Sequence, residues 1–215
     1  YYFAIKAEDS VGNEGVLSNI VTETTTSSIV FFYDNFESGV NGWTRDSADP
    51  SNLWHMETNR SMSPETSWTY NTGSPNYTYK TGFRTFGALI SPQIDLTLKK
   101  SALLKFYCYY RTGNTDILKD QRWVQISVNN GAFINLTQLT GDLINSWHQY
   151  EIDISKYAGN IVKIRFYFDS VDNALNNYWG WSIDDFTILT EETSLPPVPN
   201  NPPVANAGAD QNIND

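Results

Sequence analysis

The chain has 215 residues, with 14 Lys and Arg against 24 Asp and Glu, and a formal net charge of −10. That balance excludes sequence-independent binding to nucleic acid, which needs cations to neutralise phosphates, and an aromatic content of 14% excludes a disordered chain. A single Cys rules out an internal disulfide framework and a Cys-rich zinc site, and no apolar run approaches the ~20 residues of a membrane helix.

The chain opens Tyr1-Tyr2-Phe3, without Met or a signal-peptide pattern, so it is expected to be a piece of a longer protein with any targeting segment upstream. Residues 1–21 predict a hairpin. Tyr2, Ala4 and Lys6 alternate with Tyr1, Phe3 and Ile5, and a turn follows at Gly12-Asn13. This stretch resembles the last two strands of a fibronectin type III domain, down to the Gly-Asn turn and Ser18-Asn19, and sets a first unit at 1–22. It covers about a quarter of such a domain. The polar run TETTTSS then leads into a linker placed at 23–29.

From residue 30 to 190 the pattern is short strands. Leu104, Phe106 and Cys108 alternate with Lys105, Tyr107 and Tyr109 in 101–111. Val124, Ile126 and Val128 alternate with Gln125 and Ser127 in 122–129. Tyr150, Ile152 and Ile154 oppose Gln149, Glu151 and Asp153 in 148–155. Val162, Ile164, Phe166 and Phe168 oppose Lys163, Arg165 and Tyr167 in 162–170. Period-two alternation marks half-buried strands. Weaker strand patterns cover 30–36, 88–96, 133–139 and 179–189. Helical periodicity is nearly absent. The fold expected is all-β, an antiparallel two-sheet jelly-roll sandwich, with Leu104, Phe106, Val124, Ile126, Ile152, Ile154, Ile164 and Phe166 between the sheets. Residues 191–203 (EETSLPPVPNNPP) hold five of the nine prolines and predict an extended spacer. The final stretch, PPVANAGADQ onward, resembles the opening of a PKD domain, placed at 204–215.

An ordered set of motifs spans 34–188. It comprises Asn35-Phe36-Glu37-Ser38-Gly39 with Gly42-Trp43, Leu89-Ile90-Ser91-Pro92 with Ile94-Asp95-Leu96, Leu104-Lys105-Phe106-Tyr107, Val124-Gln125-Ile126-Ser127, Trp147, Ile152-Asp153-Ile154-Ser155 and Trp181-Ser182-Ile183-Asp184-Asp185-Phe186. The set resembles the jelly-roll module of MAM domains, cleaved-adhesin domains and the C-terminal regions of immune inhibitor A-like metallopeptidases. It lacks the paired cysteines of MAM domains. The resemblance implies a non-catalytic, extracellular or cell-surface module beside a protease, adhesin or carbohydrate-active domain. It also implies calcium ligands at the Phe-Glu and Ile-Asp-Asp positions.

No H-E-x-x-H, G-x-S-x-G or G-x-G-x-x-G pattern occurs in the chain. Cys108 shares strand parity with Leu104 and Phe106 and reads as a small buried hydrophobe. His55 and His148, each beside a Trp, read as surface or packing residues. The chain is therefore not expected to be an enzyme.

Calcium is the expected cofactor, because a hard cation wants six to eight oxygens. Asp34 and Glu37 close the first sandwich strand, and Asp184 and Asp185 lie in the last, which a jelly roll brings close. A cation on Glu37 and Asp185, assisted by Asp34 or Asp184, would relieve their mutual repulsion. Adjacent Asp184 and Asp185 point to opposite faces unless a bulge intervenes. The Asp46–Asp49 loop with Asn52 and the 169–177 loop are second-rank calcium candidates, for which ordinary Asx-rich turns are the favoured reading.

Pyranose rings stack on aromatic faces, so Trp68, Tyr70, Tyr77 and Tyr79, in a stretch from 57 to 80 read as a long loop, are candidate ligand-binding residues. Tyr107, Tyr109 and Tyr167 lie on outer strand faces. Sequons at Asn59, Asn76 and Asn135 are explained by the abundance of Asn, Ser and Thr. Three functions remain: a calcium-stabilised attachment module contacting an extracellular protein or glycan surface, a carbohydrate-binding module, or a spacer between neighbouring domains of the same chain. None involves nucleic acid or membrane insertion.

Overall fold

A computed structural model describes residues 27–46, 52–113 and 116–192, with the short pair at 2–3 and 21–22 and the single residue Ser10. The chain divides into two units, Ser28–Glu192 and a second comprising Tyr1–Ser27 with Thr193–Asp215. In the second unit, β1 (Tyr2–Phe3) pairs antiparallel with β2 (Val21–Thr22). The Gly12-Asn13 turn, residues 193–203 of the Pro-rich spacer and the PKD-like stretch lie outside the described residues, and residues 191–192, expected to open the spacer, end β14.

The first unit is built from two six-stranded sheets. In chain order the strands are β3 (Ser27–Asp34), β4 (Thr44–Arg45), β5 (Trp54–Glu57), β6 (Ser67–Tyr70), β7 (Phe86–Ile90), β8 (Ile94–Asp95), β9 (Leu103–Arg111), β10 (Gln121–Val128), β11 (Ile134–Gln138), β12 (His148–Asp153), β13 (Ile161–Asp169) and β14 (Gly180–Glu192). One sheet runs β11-β10-β13-β7-β4, with β8 also on β13. The other runs β12-β9-β14-β6-β5, with β3 also on β14. Among the described residues the sole helical element is one 3-10 turn, Ser155–Tyr157. The all-β two-sheet expectation holds.

The alternation places the core. Leu104, Phe106, Val124, Ile126, Ile154, Ile164 and Phe166 have no exposed surface, and Ile152, near the end of the edge strand β12, is half-buried against them. Phe166 sits centrally. Its ring meets Phe106 edge-on at 4.9 Å and Trp181 at 5.7 Å, and lies parallel to Trp43 at 6.2 Å. Each such ring contributes about 1.5–3 kcal/mol by leaving water.

Three departures from the sequence pattern have local causes. The stretch 88–96 is two strands, because Pro92 cannot donate to a ladder. Ser91 Oγ accepts the Ile164 N–H there at 2.9 Å. Strand β6 lies inside the stretch read as a loop, paired between β5 and β14. All four of its residues are buried, Ser67 and Thr69 through hydrogen bonds on the face opposite Trp68 and Tyr70, and four alternating residues do not stand out from the polar sequence around them. In β14 the ladder to β9 shifts between Asp184 and Thr187, with Asp185 at φ 48°.

Candidate functional site

The acids of the first and last sandwich strands meet, in a different pairing from the one the sequence suggests. Asp34, at the end of β3, is nearly buried and turned into the loop that follows. Its Oδ1 accepts the Phe36 N–H at 2.9 Å and Asn41 Nδ2–H at 3.1 Å, and its Oδ2 accepts the Trp43 indole N–H at 3.0 Å. It clamps a turn in which Phe36 and Asn41 both have positive φ.

Asp185 is turned aside by the bulge, and its Oδ1 accepts the Tyr33 hydroxyl at 2.8 Å. Burial, then that hydrogen bond, raise the Tyr33 phenol to about 12. Of the two adjacent acids, Asp184 is linked to Glu37 through Ser63, while Asp185 bonds Tyr33.

Glu37 and Asp184 are joined through Ser63. Ser63 Oγ lies 3.3 Å from Asp184 Oδ1, 3.4 Å from Glu37 Oε1 and 3.3 Å from the Asn35 carbonyl oxygen. A hydroxyl has one proton and can serve one of these three acceptors. Glu37 Oε1 also accepts the backbone N–H groups of Glu65 and Thr66, at 3.1 and 2.8 Å. Asp184 has no exposed surface. Its Oδ2 accepts the Met62 and Ser63 N–H groups at 2.7 and 3.1 Å. Burial nevertheless raises its carboxyl to about 6. Four oxygens, two of them from carboxylates, therefore converge without a cationic side chain among their described partners. Asp184 Oδ1 also accepts the Asp185 N–H at 2.7 Å, and oxygens of this kind are the donors a hard cation takes. Ser63 and the Asn35 carbonyl carry no sequence signal, since nothing local ties residue 63 to residues 35, 37 and 184.

The aromatic candidates divide otherwise. Trp68, Tyr70 and Tyr79 are core residues, at 4%, 0% and 0% exposure, and present no ring face to a sugar. They bury because β6 is an interior strand and Tyr79 packs edge-on against Phe168 at 5.2 Å. Tyr77 alone is half-exposed, stacked on Trp179 at 5.6 Å. Tyr109 is covered by the Arg60 guanidinium at 4.0 Å.

A third cluster joins Cys108, Asp142 and His148, whose ligating atoms lie within 4.8 Å of one another. Its cation is already present. Arg122 spans Asp142 with two bonds of 2.6 and 2.9 Å, and His148 Nε2 lies 2.9 Å from the same carboxylate. Cys108 is fully buried, and that burial pushes its thiol up to about 12. Its sulfur accepts the Trp181 indole N–H at 3.1 Å. A buried protonated thiol is neither a nucleophile nor a metal ligand. The cluster is a packed ion network. Its Arg122 and Asp142 line a cleft of about 220 Å³ bordered by Tyr110, Ile117, Gln138 and Ile144.

Among the described residues no helix is long and apolar enough to cross a membrane. No family model matches the sequence, and no curated protein matches it. Solved structures do share its fold. The K3 cleaved adhesin domain of Lys-gingipain from Porphyromonas gingivalis w83 superposes with a TM-score of 0.50 at 16% identity, covering 74% of this chain and 98% of that one. A structure described as a basis for promiscuous specificity in carbohydrate-binding modules of the β-sandwich superfamily superposes with a TM-score of 0.51 at 11% identity, covering 87% of this chain and 73% of that one. The chain is therefore similar in fold to cleaved adhesin domains and to β-sandwich carbohydrate-binding modules.

Proposed function

We propose that Ser28–Glu192 is a non-catalytic attachment module of a secreted or cell-surface multidomain protein, held closed by a calcium ion. The observation that carries the cation is the meeting of Asn35, Glu37, Ser63 and Asp184 oxygens at one hydroxyl. Glu37 and Asp184 would supply the charge, and the Asn35 carbonyl and Ser63 hydroxyl would complete the protein's share. Asp34 and Asp185 would position the two strands, through Trp43 and Tyr33. Extracellular calcium is plentiful enough to fill weak sites.

Attachment is supported by the fold likeness to modules described as adhesin and carbohydrate-binding. The complete burial of Cys108 argues the same way, since it leaves no accessible thiol nucleophile. The parent implied by the sequence resemblance is a secreted hydrolase such as a protease. Equilibrium dialysis with calcium tests the reading: one ion per chain is expected, and Glu37→Gln with Asp184→Asn should abolish it. Unchanged stoichiometry in that double variant would refute the assignment.

A further inference from the structure

We propose that the outer face of β10, β11 and β13 binds an acidic polysaccharide, a chain whose sugars carry carboxylates. The inference deepens the attachment reading, on which it rests, and is independent of the cation.

Register builds the face. Trp123 on β10 stands directly opposite Tyr167 on β13, and Gln125 stands opposite Arg165. Both rings are half-exposed, while Val124 and Phe166, between them in sequence, are buried. Neighbouring strands lie ~4.8 Å apart, so the two aromatic residues stand side by side, at a spacing that suits consecutive sugar rings. Tyr and Trp give contact area at little entropic cost.

Beside this pair the polar groups are ordered. Arg165 Nε donates to Gln125 Oε1 at 2.6 Å, and Gln125 Nε2 donates to Asn135 Oδ1 at 2.7 Å. The Arg165 guanidinium lies over Phe133 at 4.2 Å. Its Nε is held by Gln125, and among the described residues its Nη atoms make no hydrogen bond, which leaves the fork that receives a carboxylate.

Charge selects the ligand. Arg84, Lys105, Lys119 and Arg122 are each bound to a carboxylate of this chain. Lys163 and Arg165, like several other Lys and Arg side chains, form no ion pair among the described residues, and they stand on one strand face about 7 Å apart. Burial lowers the Arg165 guanidinium from its ordinary value, even with Asp46 close enough to oppose that shift. Two uncommitted cations on one face of a chain with net charge −10 complement an anion. Two are too few for a nucleic acid backbone, and the aromatic pair beside them matches a sugar chain.

The test uses the whole chain in calorimetric titrations with an oligogalacturonate, its methyl ester and polyglutamate. The free acid should bind, and the neutral ester should bind at least tenfold more weakly. Trp123→Ala and Arg165→Ala should each weaken binding at least tenfold, with melting temperatures near wild type. Arg165→Lys should recover part of the loss. No binding of the acid, equal binding of the ester, or equal binding of polyglutamate would each overturn the proposal. Binding of another glycan that survives Trp123→Ala would overturn this site and leave the attachment reading standing. Failure to bind any glycan or extracellular matrix protein would count against both.

Discussion

The Tyr33 hydroxyl donates to Asp185 Oδ1 at 2.8 Å, across 152 residues of sequence. The bond joins β3 to the bulge of β14, and the bulge places Asp184 on the side of Ser63 and Glu37.

Tyr33→Phe removes one half-exposed hydrogen bond. The expected cost is about 0.5–1.5 kcal/mol in denaturant unfolding. Asp34→Ala should cost more, about 2–4 kcal/mol, because it leaves the Trp43 indole N–H and the Phe36 N–H without their acceptor in the buried turn. Equal effects from the two variants would contradict the clamp assigned to Asp34.

Gly180 opens β14 at φ +93°, and a Cβ there would stand 2.1 Å from the Tyr70 carbonyl oxygen. That is backbone in an interior strand, so neither side can yield. Gly180→Ala is expected to destabilise by at least about 2 kcal/mol. A melting temperature within 2 °C of wild type, on the order of 1 kcal/mol or less, would show that β6 and β14 do not approach this closely.

Much of the fold is legible in residues such as Val124, Ile164 and Phe166, whose strands alternate core-facing apolar residues with polar or aromatic residues on the other face. Strand β6 is not, because Ser67 and Thr69 point away from the core and are buried all the same. Thr69 bonds Ser182 at 2.8 Å, and Ser67 Oγ donates to the Arg60 carbonyl at 2.6 Å. Polarity in such a strand imitates a loop, and it led Trp68, Tyr70 and Tyr79 to be read as ligand-facing. The importance of Glu37 and Asp184 is visible from chain position. Their link through Ser63 is not, since it depends on a loop conformation. Trp123 needs the β10–β13 register before it can be set against Tyr167.

The Arg122–Asp142 pair predicts an acid limb. Burial raises the Asp142 carboxyl and the Arg122 bond and charge lower it, and the net direction is below the usual 3.8. A lowered folded value means the group's stabilisation is complete above the unfolded value and drains as pH falls through the folded one. Melting temperature should therefore decline below about pH 4. Asp142→Asn should flatten that part of the decline and cost about 3–5 kcal/mol at pH 7, because Arg122 is left buried without its counter-ion. A loss under about 1 kcal/mol would show that the pair is solvent-screened.

Thermal unfolding of Ser28–Glu192 within the full chain, with millimolar calcium or with chelator at pH 7, tests the central claim most directly. A site filled at ~100 times its dissociation constant adds about 2.7 kcal/mol, which for a unit of this size raises the melting temperature by roughly 5–10 °C. The same comparison on Glu37→Gln/Asp184→Asn should show no calcium-dependent shift. Identical wild-type curves in calcium and chelator, or a shift that persists in the double variant, would contradict a cation at Asn35, Glu37, Ser63 and Asp184.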